Sequence, residues 1–593
     1  MSTPLGYNLL IENYSSEIIK CIENSKHVLI KGPTGCGKST YIPLLLNNNK
    51  HKIAVIEPRR IAVMSLYSTL FKVTKNVGYK MRFNKKIKHD DKIIIFTDGA
   101  FLHEGIDSNY DYIILDEVHE RSIRMDMILC LLKQTKSKVI LMSATVDTKR
   151  IMNYFDAKLF EIPGESYPCD IIYSESSVSD YILESYNIIK EIVMSKDVKN
   201  LSRNNSIAWL DKSNKNKDCY TINNNRDILV FLTGEEDIND LFVLLKKILD
   251  IKVYKIFSSL NDEEQLKIYQ KSTIRKVILS TNICEISLTI PGIKYVIDCG
   301  LVKNKIFDGI NYFGIVPISK ESADQRLGRC NRIGPGICYR LFTEEMYNNL
   351  SNLTPEILIA NLSKPILQLI HKKIDIFNFS FLDYPTQLNV FRSLEFLYNK
   401  KLINENMQIT KQGIRILRYP FELNLSCFYD DCINSGLGYY GSMLVSMISI
   451  DNYNFIKNLD MVQGKNIDKE MFTTDIKYLI NIFSNFLNAK VKKEFCKINE
   501  ISLKNLDKAY KIFKGLNKNK NGNVDLLEKI FSKSFDYNLS VREQDGSYKH
   551  VASGRKLYIH PTSNFFKKNI KKIVFVDVLC TTKEYVRIVG KYL

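Results

Sequence analysis

The sequence predicts an α/β protein in which two blocks with parallel β-sheets precede a mostly helical region and a short β-rich tail. Short apolar segments alternate with helical stretches from residue 1 to about 168, and the alternation returns from about 227 to 342. From 343 to about 525 the pattern is mostly helical, and short strands return after residue 535. The chain of 593 residues is long enough for about three to five domains.

Each block contains several short apolar runs that are typical of buried strands. The predicted strands of the first block are His27–Ile30, Lys52–Ile56, Lys92–Phe96, Tyr112–Leu115 and Lys138–Met142. Those of the second block are Asp227–Leu232, Lys276–Leu279 and Tyr295–Ile297, and those of the tail are Lys556–Ile559 and Lys572–Leu579. Residues 195–225 are polar and rich in asparagine, which predicts an insertion within the second block.

The composition favours a polyanionic partner. Lysine and arginine exceed aspartate and glutamate by 19, and the pI is about 9.1. No apolar run reaches the length of about 18 residues that a membrane-spanning helix needs, so we expect no membrane association. The 13 cysteines lack a framework spacing, which favours reduced thiols inside a cell. The frequent Asn, Lys and Ile residues also indicate an AT-rich genome, and this bias accounts for part of the charge.

A glycine-rich segment between a predicted strand and a predicted helix fits the pattern of a phosphate-binding P-loop, G-x-x-x-x-G-K-[ST]. In such a loop, backbone N–H groups surround the phosphates of a nucleoside triphosphate. Lys38 would face the β- and γ-phosphates, and the hydroxyl of Ser39 would bind Mg²⁺. The nucleotide-binding residues predicted here are Gly32, Pro33, Thr34, Gly35, Cys36, Gly37, Lys38, Ser39 and Thr40.

Two carboxylates directly follow the predicted strand Tyr112–Leu115. A strand end beside a P-loop is where a phosphate-bound Mg²⁺ has to be held. We therefore predict Ser39, Asp116 and Glu117 as metal-binding residues. Glu117 is also suited to activate the water molecule that attacks the γ-phosphate.

The second block contains three arginines within seven positions, in the segment Gln325–Arg332. These charges repel one another unless an anion lies among them, and a γ-phosphate in transfer is such an anion. On this hypothesis Arg329 and Arg332 stabilise the transition state and Gln325 orients the water. A solvated basic turn, or a patch that faces RNA, is the alternative.

Taken in order, these segments resemble the motifs of the DEAH/RHA group of superfamily 2 helicases over nearly the whole chain. The further segments that carry the resemblance are Glu57–Val63, Val77–Phe83, Thr97–Gly99, Asp116–Ser122, Ser143–Thr145, Phe231–Glu236 and Ser280–Ile290. The resemblance implies two tandem RecA-like domains, residues 1–168 and 169–342, that enclose ATP and Mg²⁺, with other nucleoside triphosphates accepted.

The resemblance also implies roles for single residues. Tyr269 stacks on the base of ATP, His119 touches the arginine motif, and Ser143 and Thr145 couple hydrolysis to domain movement. The residues that match RNA-backbone contacts are Arg59, Arg60, Arg82, Thr97, Thr233, Thr281 and Asn282. Their side chains bind phosphates without reading bases.

The C-terminal segments resemble the later domains of the same group. The resemblance implies a winged-helix domain at 343–412, a helical ratchet-like domain at 413–525 and an OB-fold at 526–593. It also implies a strand-separating β-hairpin at 301–319. Three positions depart from the group: Asn331 replaces a glycine, Ile286 a threonine and Thr69 an arginine, which puts the rate and the selectivity for the base in doubt.

The sequence therefore predicts an ATP-dependent RNA helicase that moves 3′→5′ on single-stranded RNA and unwinds duplexes with an overhang or remodels RNA–protein complexes. A helicase that acts on DNA or on both polymers is one alternative, and an RNA-binding scaffold with little unwinding is another. We expect a monomer that works inside the cell, in the cytoplasm rather than the nucleus, and a large DNA virus or another AT-rich genome as the source. An activating protein cofactor is possible and unidentified.

Overall fold

The structure is a computed structural model, which divides the chain into two compact units. It describes residues 9–33, 35–48, 50–82, 84–105, 109–133, 135–144, 148–164, 167–194, 209–210, 227–257, 260, 264, 267–270, 272–285, 290, 292–307, 309–332, 334–450, 474–516, 519, 523, 525–580 and 583–593. Unit 1 comprises Met1–Lys303, Ile315–Leu358 and Ser380–Tyr384, and unit 2 comprises Asn304–Gly314, Ile359–Phe379 and Pro385–Leu593.

The strands and helices follow the predicted order. The strands are β1 His27–Lys31, β2 Ile53–Glu57, β3 Val77–Met81, β4 Asn84–Lys86, β5 Ile93–Thr97, β6 Tyr112–Leu115, β7 Lys138–Ser143, β8 Ala157–Glu161, β9 Cys169–Ser174, β10 Trp209–Leu210, β11 Asp227–Phe231, β12 Ile251–Ile256, β13 Arg275–Ser280, β14 Ile293–Asp298, β15 Leu301–Phe307, β16 Asn311–Pro317, β17 Gly336–Arg340, β18 Ser540–Arg542, β19 Tyr548–His550, β20 Lys556–Ile559, β21 Lys572–Cys580 and β22 Glu584–Lys591. The α-helices are α1 Ser15–Glu23, α2 Lys38–Leu46, α3 Arg60–Val73, α4 Asp98–Ala100, α5 Ile123–Leu132, α6 Thr148–Phe155, α7 Tyr181–Met194, α8 Glu235–Leu245, α9 Lys320–Leu327, α10 Glu344–Asn348, α11 Glu356–Ile359, α12 Ser363–His371, α13 Gln387–Asn399, α14 Lys411–Arg418, α15 Leu423–Asn434, α16 Gly438–Ile448, α17 Asp475–Asn488, α18 Lys492–Ile498, α19 Leu503–Lys514 and α20 Leu526–Ser534.

The first sheet of unit 1 has the strand order β4-β3-β5-β2-β6-β7-β1-β8, and all of its described pairings except β3–β4 are parallel. Its central strands are apolar along their length because helices cover the sheet. Parallel strands end at the same edge, so β1, β2, β5, β6 and β7 all deliver their last residues there. The P-loop follows β1 at this edge.

The second sheet of unit 1 has the order β10-β9-β17-β14-β11-β13-β12, and only the β9–β10 pairing is antiparallel. The predicted strands of both blocks are present, with ends shifted by at most two residues. The predicted pair of RecA-like domains with parallel sheets is therefore confirmed. The predicted domain boundaries stay predictions. The predicted insertion at 195–225 lies outside the described residues except for Trp209 and Leu210.

Unit 2 ends in a closed barrel of five strands. Strand β21 pairs with β18 and β22, and the chain β18-β19-β20-β22 completes the ring. This barrel is consistent with the predicted OB-fold. Strand β16 of the predicted hairpin adds to it in parallel, with Tyr312 beside Val578, and the side chain of Ile310 is buried in the barrel core.

Helices fill the rest of unit 2, as the sequence predicts. The core between α15 and α20 is rich in aromatic side chains, such as Phe428, Phe483 and Phe531, which are fully buried. Ahead of this core, α12 and α13 lie in the segment predicted as a winged helix, together with the short antiparallel bridge between Ile403 and Ile409, and α14 begins at its end. In the described part of the chain, no helix has both the length and the apolar character needed to cross a bilayer.

Helices α15 and α16 pack closely because Gly441 leaves room for Cys432. A Cβ atom on Gly441 would lie 2.6 Å from the Cβ of Cys432. We expect Gly441→Ala to lower the free energy of unfolding by about 1–3 kcal/mol, since it overpacks this contact. Urea unfolding followed by circular dichroism measures the loss. The control is Gly515→Ala, whose added Cβ would meet no atom nearer than 3.7 Å. Equal stability of the two variants would contradict the close packing.

Candidate functional site

The P-loop joins β1 to α2 and needs two glycines for its turn. Gly35 and Gly37 have φ angles of 87° and 103°, in the left-handed region. Gly37 is also crowded, because an added Cβ would lie 2.9 Å from Leu9. The Nζ atom of Lys38 is buried and donates to the carbonyls of Gly32 and Pro33, at 2.6 and 3.0 Å. The loop therefore wraps around its own ammonium group.

The rest of the predicted nucleotide-binding segment begins helix α2. Ser39 and Thr40 lie in its first turn, and the side chain of Ser39 hydrogen-bonds the carboxylate of Asp116. Cys36 is buried, and burial raises the pKa of its thiol. Thr34 lies outside the described residues.

Four carboxyl groups lie near the same edge of the first sheet, those of the buried Glu57, Asp116 and Glu117 and that of the partly buried Glu120. Burial and the neighbouring negative charges raise the pKa of Asp116, and raise the pKa of Glu57 further. Glu57 ends β2 and its carboxyl group hydrogen-bonds that of Asp116. The backbone N–H of Glu117 donates to Asp116 Oδ1 at 2.8 Å.

This donor set suits a magnesium ion. Ser39 and Asp116 supply hard oxygen ligands, and the buried Oε2 of Glu117 has no hydrogen-bond partner among the described residues. No group of three or more His, Cys, Asp or Glu side chains in the described ranges forms a complete metal cage. Mg²⁺ does not need such a cage, because it takes one or two carboxylates and completes its shell with water and phosphates.

His119 lies between the acidic cluster and the end of β7. Its Nδ1 is 3.5 Å from Ser143 Oγ and 3.5 Å from Glu117 Oε2. Burial lowers the pKa of His119 to about 4, so the ring is neutral at pH 7. Ser143 also accepts a hydrogen bond at its carbonyl from the N–H of Gly32 in the P-loop, at 3.2 Å. The predicted coupling residue Ser143 thus touches two parts of the site, while its predicted partner Thr145 lies outside the described residues.

The three arginines of the second domain divide into two kinds. Arg326 is fully buried, and its guanidinium pairs with Glu285 at 3.0 Å and Asp298 at 2.6 Å, below the ring of Phe231. Both of its charge partners are themselves buried. Arg326 therefore fixes the motif in the domain core.

Arg329 and Arg332 form the second kind, and each donates to a backbone carbonyl. Arg329 donates to the carbonyl of Glu285, and Arg332 Nε donates to that of Gly328 at 3.2 Å. Burial lowers the pKa of Arg329 to about 10 and that of Arg332 to about 9, and the charge of Glu117 opposes both shifts. Both side chains stay charged at pH 7 and interact electrostatically with Glu117 of the first domain.

Gln325 and Asn331 flank these arginines. The Oε1 atom of Gln325 is buried without a hydrogen-bond partner among the described residues, and its predicted role in orienting water stays a prediction. Asn331, which replaces the usual glycine, donates from Nδ2 to the carbonyl of Tyr167 at 3.1 Å. The amide thereby ties the motif to the segment that leads into β9.

The predicted base-stacking residue Tyr269 lies in a short 3₁₀ turn. Its side chain is 38% exposed, and burial of the rest raises the pKa of its hydroxyl to about 12. The charge of Arg329 acts on this hydroxyl, so the ring lies near the arginine motif. On the opposite domain, the Thr69 hydroxyl donates to the carbonyl of Ser65 in its own helix, at 2.9 Å. Ile286 lies outside the described residues.

Several predicted RNA-binding residues end strands at the carboxyl edges of the two sheets. Thr97 ends β5, and Thr281 and Asn282 follow β13. Thr233 follows β11, is buried and donates its hydroxyl to Asp237, which leaves it little freedom to bind phosphate.

The three predicted arginines make contacts of their own. Arg60 donates to the carbonyl of Arg82 at 3.3 Å. Arg59 reaches the second domain and donates to the carbonyl of Ile283 at 2.9 Å and that of Asn282 at 3.2 Å. The assignment of all these residues to RNA stays a prediction.

Some residues that organise the site were not predicted. Glu57, Glu285 and Asp298 are the buried acids that hold Asp116 or Arg326. Arg121 pairs with Asp126 at 2.8 and 3.0 Å and with Asp383. All except Asp126 and Asp298 lie in segments that the resemblance singles out, so the segments were known but the pairings were not.

Comparisons with known proteins agree with this geometry. Residues 13–153 match the family model of the DEAD/DEAH box helicases, and residues 211–334 match that of the helicase conserved C-terminal domain. The ATP-dependent RNA helicase DHX33 of Drosophila melanogaster is 30% identical over 633 residues, which cover 98% of this chain and 87% of that protein. The pre-mRNA-splicing factor ATP-dependent RNA helicase prp22 of Schizosaccharomyces pombe is 29% identical over 624 residues, covering 97% of this chain. The chain spans about half of this second relative, 51% of its length.

Replacing the P-loop lysine tests the nucleotide site. We expect Lys38→Ala to lower the rate of nucleoside-triphosphate hydrolysis by at least about 100-fold, because a preorganised charge at the phosphates is lost. Lys31→Ala is the control, since Lys31 pairs with Glu161 at the protein surface beside the loop. A phosphate-release assay measures both. An unchanged rate in Lys38→Ala would refute the assignment of the loop.

The two kinds of arginine should respond differently to removal. Arg326→Ala leaves two buried carboxylates without their partner, so we expect a loss of about 3–5 kcal/mol in stability. Arg329→Ala should retain most of the stability but lower hydrolysis by about 1000-fold or more, as expected for a residue that stabilises the transition state. Thermal melting and hydrolysis are measured on both variants. Equal destabilisation by the two would contradict the division.

Proposed function

Because the chain belongs to the DEAD/DEAH-box helicase family, we propose that it is an ATP-dependent RNA helicase that hydrolyses ATP to move along single-stranded RNA and open duplexes. Both relatives named above carry this activity in their names. The observation that carries the proposal is that Glu117, at the edge of the first sheet, lies within electrostatic reach of the charged Arg329 and Arg332 of the second domain.

This placement of charges suggests how ATP would be hydrolysed. The N–H groups of the P-loop and Lys38 would hold the phosphates, while Glu117 accepts a proton from the attacking water. Arg329 and Arg332 would offset the charge that develops on the γ-phosphate. Ser39 and Asp116 would hold a magnesium ion, which supplies further positive charge at the phosphates. Gln325 would orient the water from the second domain.

The neutral ring of His119 serves as a link. Because its pKa lies near 4, it neither repels the arginines nor neutralises Glu117 at pH 7. Its contacts with Glu117 and Ser143 join the water-activating group to the strand end that receives the P-loop N–H. A change at the γ-phosphate would therefore alter contacts at the end of β7.

RNA is the proposed substrate for two reasons. The chain carries a net charge of +19, and the predicted contact residues bind a phosphate backbone rather than bases. Both named relatives are called RNA helicases. DNA, or both polymers, remains the second candidate, because only contacts to the ribose 2′-hydroxyl distinguish the two. A scaffold with little unwinding fits less well, since Lys38, Glu117 and the arginines are all present.

The proposal also covers the direction of movement along RNA and the oligomeric state. We propose 3′→5′ movement, with the hairpin of β15 and β16 separating the strands, and a monomer that acts inside the cell. The anchoring of the hairpin supports the role in strand separation, because the buried Ile310 side chain and the β16–β21 pairing stiffen its tip. An activating protein partner would act on this monomer.

The decisive experiment compares matched RNA and DNA duplexes that carry 3′ or 5′ overhangs. We expect ATP-dependent unwinding of RNA with a 3′ overhang, and ATP hydrolysis that is stimulated by single-stranded RNA. Glu117→Gln is the control, because it should still bind nucleotide while hydrolysis nearly stops. Stimulation by DNA alone would replace RNA with DNA in the proposal. Hydrolysis stimulated by RNA without unwinding would favour the remodelling scaffold.

A further inference from the structure

Arg59 is the residue through which the first domain reaches the RNA-facing turn of the second. It precedes helix α3, and its Nη1 atom donates to the carbonyls of Ile283 and Asn282, at 2.9 and 3.2 Å. Both carbonyls belong to the 3₁₀ turn Asn282–Cys284, which follows β13 and begins directly after Thr281. The predicted RNA contacts Thr281 and Asn282 therefore lie within reach of one guanidinium group.

The same guanidinium faces the segment that contains the water-activating residue. Arg59 Nε lies 3.6 Å from Glu120 Oε1, and both side chains are largely buried. The N–H of Glu120 donates to the carbonyl of Glu117 at 2.9 Å, so the two acids share one short turn. Arg59 thus contacts the RNA-facing turn on one side and the Glu117 turn on the other.

A second residue also joins the two domains at this point. Ile61, in the first turn of α3, packs against the apolar cluster of the second domain that contains Phe231, Cys284 and Cys330. The start of α3 is therefore seated on the second domain. If the Asn282 turn shifted, it would move the Arg59 side chain relative to the start of α3, which stays in place.

We propose that Arg59 is a positioning residue that couples RNA bound at the Asn282 turn to the Glu117 segment of the ATP site. The inference rests on the proposed function, because it assumes hydrolysis stimulated by RNA. A planar guanidinium can donate in two directions at once, whereas a lysine ammonium on a flexible stem cannot hold both partners in fixed geometry. Arg59 was predicted only as a contact to the RNA backbone, and this assignment adds a connection between domains.

Arg60 provides a matched control. It has the same charge and the same predicted role, and it lies next to Arg59 in the chain. Its guanidinium donates to the carbonyl of Arg82, inside the first domain, at 3.3 Å. Removing either arginine removes one positive charge from the predicted RNA path, but only Arg59 reaches the second domain.

The experiment titrates single-stranded RNA into Arg59→Gln, Arg60→Gln and Arg59→Lys and measures kcat and the RNA concentration for half-stimulation. The two glutamine variants should lose RNA affinity to a similar extent, because each loses one phosphate contact. Only the Arg59 variants should lower kcat at saturating RNA, by about tenfold, which is a usual size for coupling between two sites. Arg59→Lys should retain affinity and still lose kcat.

A double variant tests the link to Glu120. If Arg59 acts through Glu120, the losses in kcat of Arg59→Gln and Glu120→Gln should not add, because the two residues serve one connection. Thermal melting of every variant ensures that kcat is compared between folded proteins, and Arg59→Lys carries the test if Arg59→Gln unfolds.

Three outcomes would overturn the inference. Equal kcat in Arg59→Gln and Arg60→Gln would show that Arg59 has no role beyond charge. Full kcat in Arg59→Lys at saturating RNA would show that a point charge suffices. A wild-type protein whose hydrolysis does not respond to RNA would overturn the proposed function and this inference with it, whereas the first two outcomes leave the proposed function intact.

Discussion

The site depends on a concentration of buried negative charge at one edge of the first sheet. Glu57, Asp116, Glu117 and Glu120 lie there with little access to water, and burial of a carboxylate costs several kcal/mol unless positive charge or hydrogen bonds offset it. Within the first domain, Lys38 and Arg59 supply part of that charge, and the raised pKa of Glu57 favours its neutral form. Arg329 and Arg332 of the second domain add positive charge that interacts with Glu117.

Neighbouring arginines in the second domain differ in their electrostatic surroundings. Arg326 has two carboxylate partners within 3.0 Å, so its charge is fully used in the domain core. Arg329 and Arg332 donate to backbone carbonyls, and their lowered pKa values reflect the cost of burying a positive charge. An incoming γ-phosphate would repay that cost. Positive charges that are already in place before the substrate binds stabilise the negative charge that develops in the transition state.

The sequence predicted the chemistry of this site better than its internal connections. The P-loop pattern and the acids after β6 specify both a local backbone and a role, because phosphate binding requires glycines and strand ends in that order. Apolar runs predicted the strands of both sheets, since buried parallel strands are apolar along their length. Pairs such as Glu57 with Asp116, and Arg121 with Asp383, join residues far apart in the chain, and no spacing in one sequence encodes such a contact.

The structure distinguishes Arg59 from its neighbour Arg60, which the sequence alone does not. From the sequence, Arg59 and Arg60 are equivalent, because both are arginines in one segment that resembles an RNA-binding motif. Their environments differ only after folding, when the end of β2 aims one guanidinium at the turn after β13 and leaves the other inside its own domain. The contact lies between two sheets that form from separate blocks of the chain.

The central claim is that Glu117 of the first domain and the arginines of the second act on one γ-phosphate. A structure of the protein with ADP, aluminium fluoride, Mg²⁺ and single-stranded RNA measures this most directly. We expect Arg329 and Arg332 to lie within hydrogen-bond distance of the fluoride atoms, and Glu117 to contact the water opposite the leaving oxygen. Arginine side chains directed away from the aluminium fluoride, with the nucleotide held by the first domain alone, would contradict it.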